Sequence, residues 1–215
     1  MISPADNVST KGKSLLVFLK DYVALDVETT GLSPRTDKII EIGMVRVRNG
    51  VEEKCYSALI HPGRQVSARI TQLTGITNEM LSGAPPMEDV LDNILAFIGS
   101  DVIVGHNVNF DIGFMQAACM DVLNTGFKHD FVDTMRYSRR YFQELPNHRL
   151  GTLVCSFCVE QNQAHRALAD AQATSRCYMY MCEQVAQGKK NVVKKLAEMP
   201  KEKDDGSVAE FRLRL

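Results

Sequence analysis

The sequence predicts a mixed α/β fold, helices covering one sheet, and three observations predict it. Tyr22 to Leu25 is a short apolar stretch, a buried strand, and Gly31 and Pro34 end the extended segment that follows it. Ile39 to Val47 and Val51 to Ile60 are strand-like runs separated by Asn49-Gly50, a dipeptide that favours a tight hairpin, so they extend the sheet antiparallel. Pro86 opens a helical run through Ile98 that leads to Val102 to Val104, and a strand reached through a helix returns parallel.

The remaining elements follow in order. The strand at Val102 ends in Gly105-His106-Asn107, and Asn109 is placed to cap a helix running through Phe114, Met115 and Ala118. Further helices are expected from about Asp133 and Leu150. From His165 to Gln187 there is no Gly or Pro, and Ala167, Ala171, Thr174, Tyr178, Met181 and Val185 recur at spacings of three and four, which predicts a long helix with one core-facing stripe. No internal repeat or low-complexity stretch interrupts this plan.

At 215 residues and 45% hydrophobic, the chain can bury one sizeable core. We expect an N-terminal extension over 1–15, a single domain over 16–187 and a basic tail over 188–215. The formal net charge of −1 argues against a general attraction to polyanions, because the tail carries +3 and leaves −4 over residues 1–187. Arg136, Arg139 and Arg140 are a local basic group, read first as a solvated face. The run Leu15 to Leu19 is too short for a secretory or membrane segment, so a cytoplasmic protein without a membrane partner is expected. Six cysteines show no paired metal-ligand spacing, Cys155 and Cys158 forming the one CxxC, and are read as reduced core thiols.

Four acids stand beside apolar segments. Asp26 and Glu28 follow the first strand two residues apart, so both point to one side of it. Two such charges at about 4 Å repel by roughly 4 kcal/mol at an effective dielectric near 20, a cost that a bound cation removes. Taken alone, the pair reads first as solvated or paired with a lysine. Asp170 lies on the core-facing stripe of the last helix, where a carboxylate needs a ligand role, a cap, or a partner such as Arg166 or Arg149. Asp111 falls in a first helical turn, which acids favour for dipole reasons alone. The joint pattern decides what the single residues do not.

LDVETTGL, GHNVNFD and HRALADA, in that order, resemble the three motifs of the DEDDh branch of the DnaQ-like 3′→5′ exonucleases, the family of the proofreading exonuclease of bacterial DNA polymerase III. DKIIEIGMVRV, LTGITNEMLSGAPPMEDVL and VDTMRYSRRYF are similar to the same family, most nearly to the exonuclease module of PolC-type polymerases, so the resemblance spans about residues 20 to 185. It implies an RNase H-like fold with a five-stranded mixed sheet flanked by helices. It also implies a cage of Asp26, Glu28, Asp111 and Asp170 for two divalent ions, Mg²⁺ or Mn²⁺, with His165 as general base and Glu28 counted with it as catalytic. Oxygen ligands suit such hard ions, and imidazole titrates near neutrality. By the same resemblance Thr29, Thr30, Gly31 and Leu32 would meet the terminal nucleotide, and His106 and Asn107 a phosphate or sugar.

The implied activity is release of nucleoside monophosphates from single-stranded or frayed DNA 3′ ends, in proofreading or repair, with a DNA polymerase subunit as a candidate partner. RNA with the same chemistry stays open as the substrate, since nothing in the motifs senses a 2′-hydroxyl. A non-catalytic polymerase-binding module is the reading from another class, and its mark would be a lost acid or histidine, none of which is lost.

Overall fold

The computed structural model describes residues 12–161 and 164–188; the N-terminal extension up to residue 11 and the basic tail from 189 lie outside them, as do residues 162 and 163. Its frame is a mixed sheet of β1 (Ser14–Leu15), β2 (Tyr22–Thr29), β3 (Ile39–Arg48), β4 (Val51–Leu59), β5 (Ile103–Gly105) and β6 (Phe131–Asp133), ordered β1-β6-β5-β2-β3-β4. β2, β3 and β4 are antiparallel, whereas β5 is parallel to β2, β6 to β5, and β1 to β6. The expected five-stranded sheet therefore has six strands, in the RNase H-like arrangement. The reading of residues around Asp133 as the start of a helix left out β6, because three residues are too short to display a period. β1 lies within the last residues of the stretch set apart as an N-terminal extension and pairs with Phe131 and Val132.

β2 is buried along its whole length, and its alternation divides the molecule into two layers. Val23, Leu25 and Val27 face one core with α3 (Met87–Ile98) and α4 (Asn109–Leu123). Tyr22 and Ala24 face a second core with α5 (Thr134–Tyr141), α6 (Leu150–Phe157) and α7 (Ala167–Ala186), which includes Val45 and Val47 of β3. Two short helices, α1 (Ala68–Thr74) and α2 (Asn78–Ser82), cover a satellite cluster around Ile40 and Ile76.

Two start sites differ from expectation. Val108, not Asn109, is the N-cap of α4, without a side-chain cap bond; the turn ahead of it is held from β6, where Asp133 accepts the Asn107 N–H at 3.0 Å. α7 begins at Ala167 and not at His165, because His165 has φ 61 and Arg166 is extended. Of the cysteines, Cys119, Cys177 and Cys182 are buried as expected, while Cys55, Cys155 and Cys158 are exposed, so the core reading holds for three of them. No helix among the described residues is long and apolar enough to cross a membrane.

Candidate active site

The two layers meet at the carboxyl end of β2. Asp26 and Glu28 share the parity of Tyr22 and Ala24, so they face the α7 layer. Their cross-strand partners on β3 are Gly43 and Glu41, and a bulge between Glu28 and Thr29 ends the regular pairing there, a place where sheets re-aim side chains next to functional sites. α7 descends onto this corner through small buried residues, Ala167, Ala171, Thr174 and Ser175. Gly43 admits it: a Cβ there would lie 2.1 Å from the Leu168 nitrogen. Asp170, in the first turn of α7, is thereby carried to β2.

Asp26, Glu28 and Asp170 each place a carboxylate oxygen within 4.8 Å of the other two, and all three residues are buried. Three buried carboxylates this close form an oxygen donor set suited to a hard divalent cation. Asp111 arrives from the other layer. β5 has ended by the level of Val27, and Asp111 Oδ1 accepts the Val27 N–H at 3.0 Å where the neighbouring strand would have done so. This bond locks the start of α4 between the two β2 acids, though Asp111 is not within the 4.8 Å group.

The structure places the other sequence-derived residues as follows. His165 is half-buried in the turn before α7, in the left-handed region. Thr29 is buried, and its hydroxyl donates to the Gly31 carbonyl at 2.6 Å. Thr30 Oγ accepts from Arg64 at 2.7 Å and donates to Asp37 at 3.2 Å, while a Cβ at Gly31 would meet the Asp37 carboxylate and displace it. Leu32 is half-buried beside them. His106 is buried with Nδ1 2.9 Å from the Thr134 hydroxyl, and Asn107, φ 56, is anchored to Asp133. Burial raises the Asp133 carboxyl above its usual range, against the pull of the N–H groups of Asn107, Met135 and Arg136.

Three residues went unnoticed in the sequence. Glu41 is 2% exposed; it takes Arg166 through Nε at 3.1 Å to both oxygens and through Nη2 at 2.6 Å, and it accepts the first amide of α7, Ala167 N–H, at 2.9 Å. Hydrogen bonding to Glu41, with Glu28 adding to the field, holds the Arg166 guanidinium above its ordinary range. Gly43 is the contact point just described. The signal for both was a Glu and a Gly two residues apart inside the apolar run IIEIGMV, opposite the DxE pair. Gln161 donates to Asp170 Oδ1 at 2.6 Å, tying the chain ahead of α7 to the acid group.

A mixed sheet of this order, with buried acids from three segments gathered at the end of its central strand, defines the RNase H-like class of carboxylate-centred nucleases. The model of the RNase_T family, described as exonuclease, matches residues 23–178, and the chain belongs to that family. It is accordingly an enzyme of the 3′→5′ exonuclease class. The DNA polymerase III PolC-type of Bacillus subtilis (strain 168) is 41% identical over 167 residues, 77% of this chain and 12% of that protein; the counterpart in Thermotoga maritima is 36% identical over 183 residues, 85% and 13%. The chain thus spans about an eighth of the length of these relatives. Among solved structures, exonuclease X in complex with 5′ overhanging duplex DNA is 26% identical with a TM-score of 0.62, covering 78% of this chain and 93% of that one. The nuclease domain of 3′hExo, a DEDDh family member bound to rAMP, shares the fold at 17% identity with a TM-score of 0.65, covering 80% and 94%.

Proposed function

We propose that the chain hydrolyses DNA from the 3′ end, releasing nucleoside monophosphates one at a time at a centre that uses two Mg²⁺ or Mn²⁺ ions. The observation that carries this is the meeting of Asp26, Glu28 and Asp170 within 4.8 Å at the end of β2, with Asp111 locked beside them. These four residues would hold the ions. Divalent ions bound there supply the positive charge and water activation that an in-line phosphoryl displacement requires.

The chain's own groups do the rest. His165 takes the proton of the attacking water; the new P–O bond forms as the bond to the 3′ oxygen breaks, and that oxygen leaves to be protonated. The Thr29–Thr30–Gly31–Leu32 turn, braced by Asp37 and Arg64, receives the terminal nucleotide, and the His106–Asn107 corner receives sugar or phosphate without reading sequence. DNA is favoured over RNA as the substrate because the 41% identical relative is a DNA polymerase and the 26% identical structure holds duplex DNA. A polymerase, covalently continuous or separate, is the partner that fits the same relatives.

End-labelled DNA and RNA oligomers with Mn²⁺ or Mg²⁺, with chelator and Asp26→Ala as controls, test the reading. Stepwise shortening of DNA from the 3′ end, lost in both controls, is expected; equal shortening of RNA would move the substrate to the broader class, and intact oligomers would remove the function. His165→Ala should retain Mn²⁺ binding while losing most turnover, as a general base contributes about 10²–10⁴-fold. Near-normal hydrolysis by that variant would take the role from His165.

A further inference from the structure

The pair of buried Glu41 and half-buried Arg166 has no part in the chemistry just described, yet it sits against it. Glu41 and Glu28 are directly opposed on β3 and β2 and project to the same face. Arg166 lies between the residue proposed as base and the helix that carries Asp170, and Glu41 grips both Arg166 and the Ala167 amide. His165 is a non-glycine residue in the left-handed region, a conformation that persists where neighbours over-determine it. Its C-terminal neighbour is fixed by a two-pronged ion pair to a 2% exposed carboxylate, an arrangement in which Arg supplies direction as well as charge.

We infer that Glu41 and Arg166 are positioning residues: their ion pair holds the turn at His165 in the conformation from which its imidazole serves the reaction proposed above. This rests on the function proposed above but concerns a separate task, since α7 is docked by the close approach at Gly43 and by the Ala167 amide bond to Glu41, which needs an acceptor there but not a charge. Asp170 is set by the docking of α7, and His165 by the charge pair. Weakening the pair therefore releases the base and leaves the metal ligands in place.

The decisive variants are Glu41→Gln, which keeps an acceptor for the Ala167 amide but removes the charge, Arg166→Gln, and Arg166→Lys. Each is compared with wild type by steady-state hydrolysis of a short oligothymidylate, by Mn²⁺ titration calorimetry, and by the NMR signal of the His165 ring, assigned by its disappearance in His165→Asn. In Glu41→Gln and Arg166→Gln, kcat should fall about 10–100-fold, the range seen when a group orienting an active-site residue is removed, with KM and Mn²⁺ affinity changing by less than about 3-fold. Arg166→Lys should recover part of kcat, and the His165 signal should move or broaden in both Gln variants. Unchanged kcat and an unchanged His165 signal would overturn the inference. So would a loss of Mn²⁺ affinity in step with kcat, which would make the pair a helix anchor only. Should wild type prove inactive, the proposed function falls, while the His165 signal still decides this inference: moved in the Gln variants supports it, unmoved sinks it.

Discussion

Two adjacent strands carry the same two-residue device to opposite ends. On β2, Asp26 and Glu28 face the α7 layer; on β3, Gly43 and Glu41 face it from directly across. Glu28 and Glu41 are 5% and 2% exposed, so both are carboxylates taken out of water. Glu41 is met by a cation from its own chain, Arg166. Glu28 is met by two further carboxylates, Asp26 and Asp170. Buried charge is tolerated when it is paired or bound to metal; β3 carries the first solution, and the second is the one proposed for β2. The difference sharpens the proposal made for β2, a cation from outside at the acid group, against β3, where Glu41 takes its cation from the chain itself.

The largest expected effect tests the outside half of that comparison. Asp26→Asn should lower hydrolysis by at least about 100-fold, the scale on which groups that stabilise reacting charge act. In chelator it should be no less stable than wild type, since it removes one of several like charges, each close pair costing up to about 4 kcal/mol at 4 Å. Adding Mn²⁺ should reverse the order. At a hundred times its Kd a ligand adds about 2.7 kcal/mol, which at this chain length raises the wild-type melting temperature by roughly 5–10 °C, and Asp26→Asn should gain far less. Equal Mn²⁺ shifts in calorimetric melts of the two proteins would break the comparison.

The inside half is next in size. Arg166→Ala strands the Glu41 carboxylate in the core and should cost about 3–5 kcal/mol in urea unfolding. Lys38→Ala breaks a pair of similar length, 2.7 Å to Asp121, but with side chains 53% and 57% exposed it should cost less than about 1 kcal/mol. The double variant Glu41→Gln, Arg166→Gln should recover much of the loss, because neither charge is then left without the other. A double variant as unstable as Arg166→Ala would mean that packing, not charge, dominates there.

How much of this was legible follows sequence length and locality. β2, β3, β4 and α7 were readable because eight to twenty residues give a period room to show, and the Asn49-Gly50 turn fixes the hairpin register. β1 and β6, with two and three residues, carry no period, and α1 and α2 are barely two turns over a satellite cluster. The acids were legible as a pattern, since Asp26 and Glu28 are neighbours and the motifs of Asp111 and Asp170 are familiar. The clamp was not: Glu41 and Arg166 are 125 residues apart, and neither residue alone signals a partner. The α4 start was misread at Asn109 for the same reason, as the bond that fixes the preceding turn comes from Asp133 on another strand.

His148 adds a third way of handling an ionisable group, here a half-buried one, and the smallest predicted effect. Its Nδ1 lies 3.0 Å from the Ser138 hydroxyl, and burial first, then the nearby Arg139 charge, lower its pKa, against a smaller opposing pull from Glu144. The folded protein therefore binds a proton at His148 less readily than the unfolded chain, whose histidine titrates near 6.5. Between that value and the lower folded one the unfolded state holds more protons, so stability rises with pH; the contribution is present above the unfolded pKa and lost as pH falls through the window. His148→Gln should leave stability near neutrality little changed and flatten its decline as pH falls below the ordinary histidine value of about 6.5 in urea titrations. An equally steep decline in that variant would show that His148 does not drive the loss, and the comparison would reduce to the paired carboxylate of β3 and the acid group of β2.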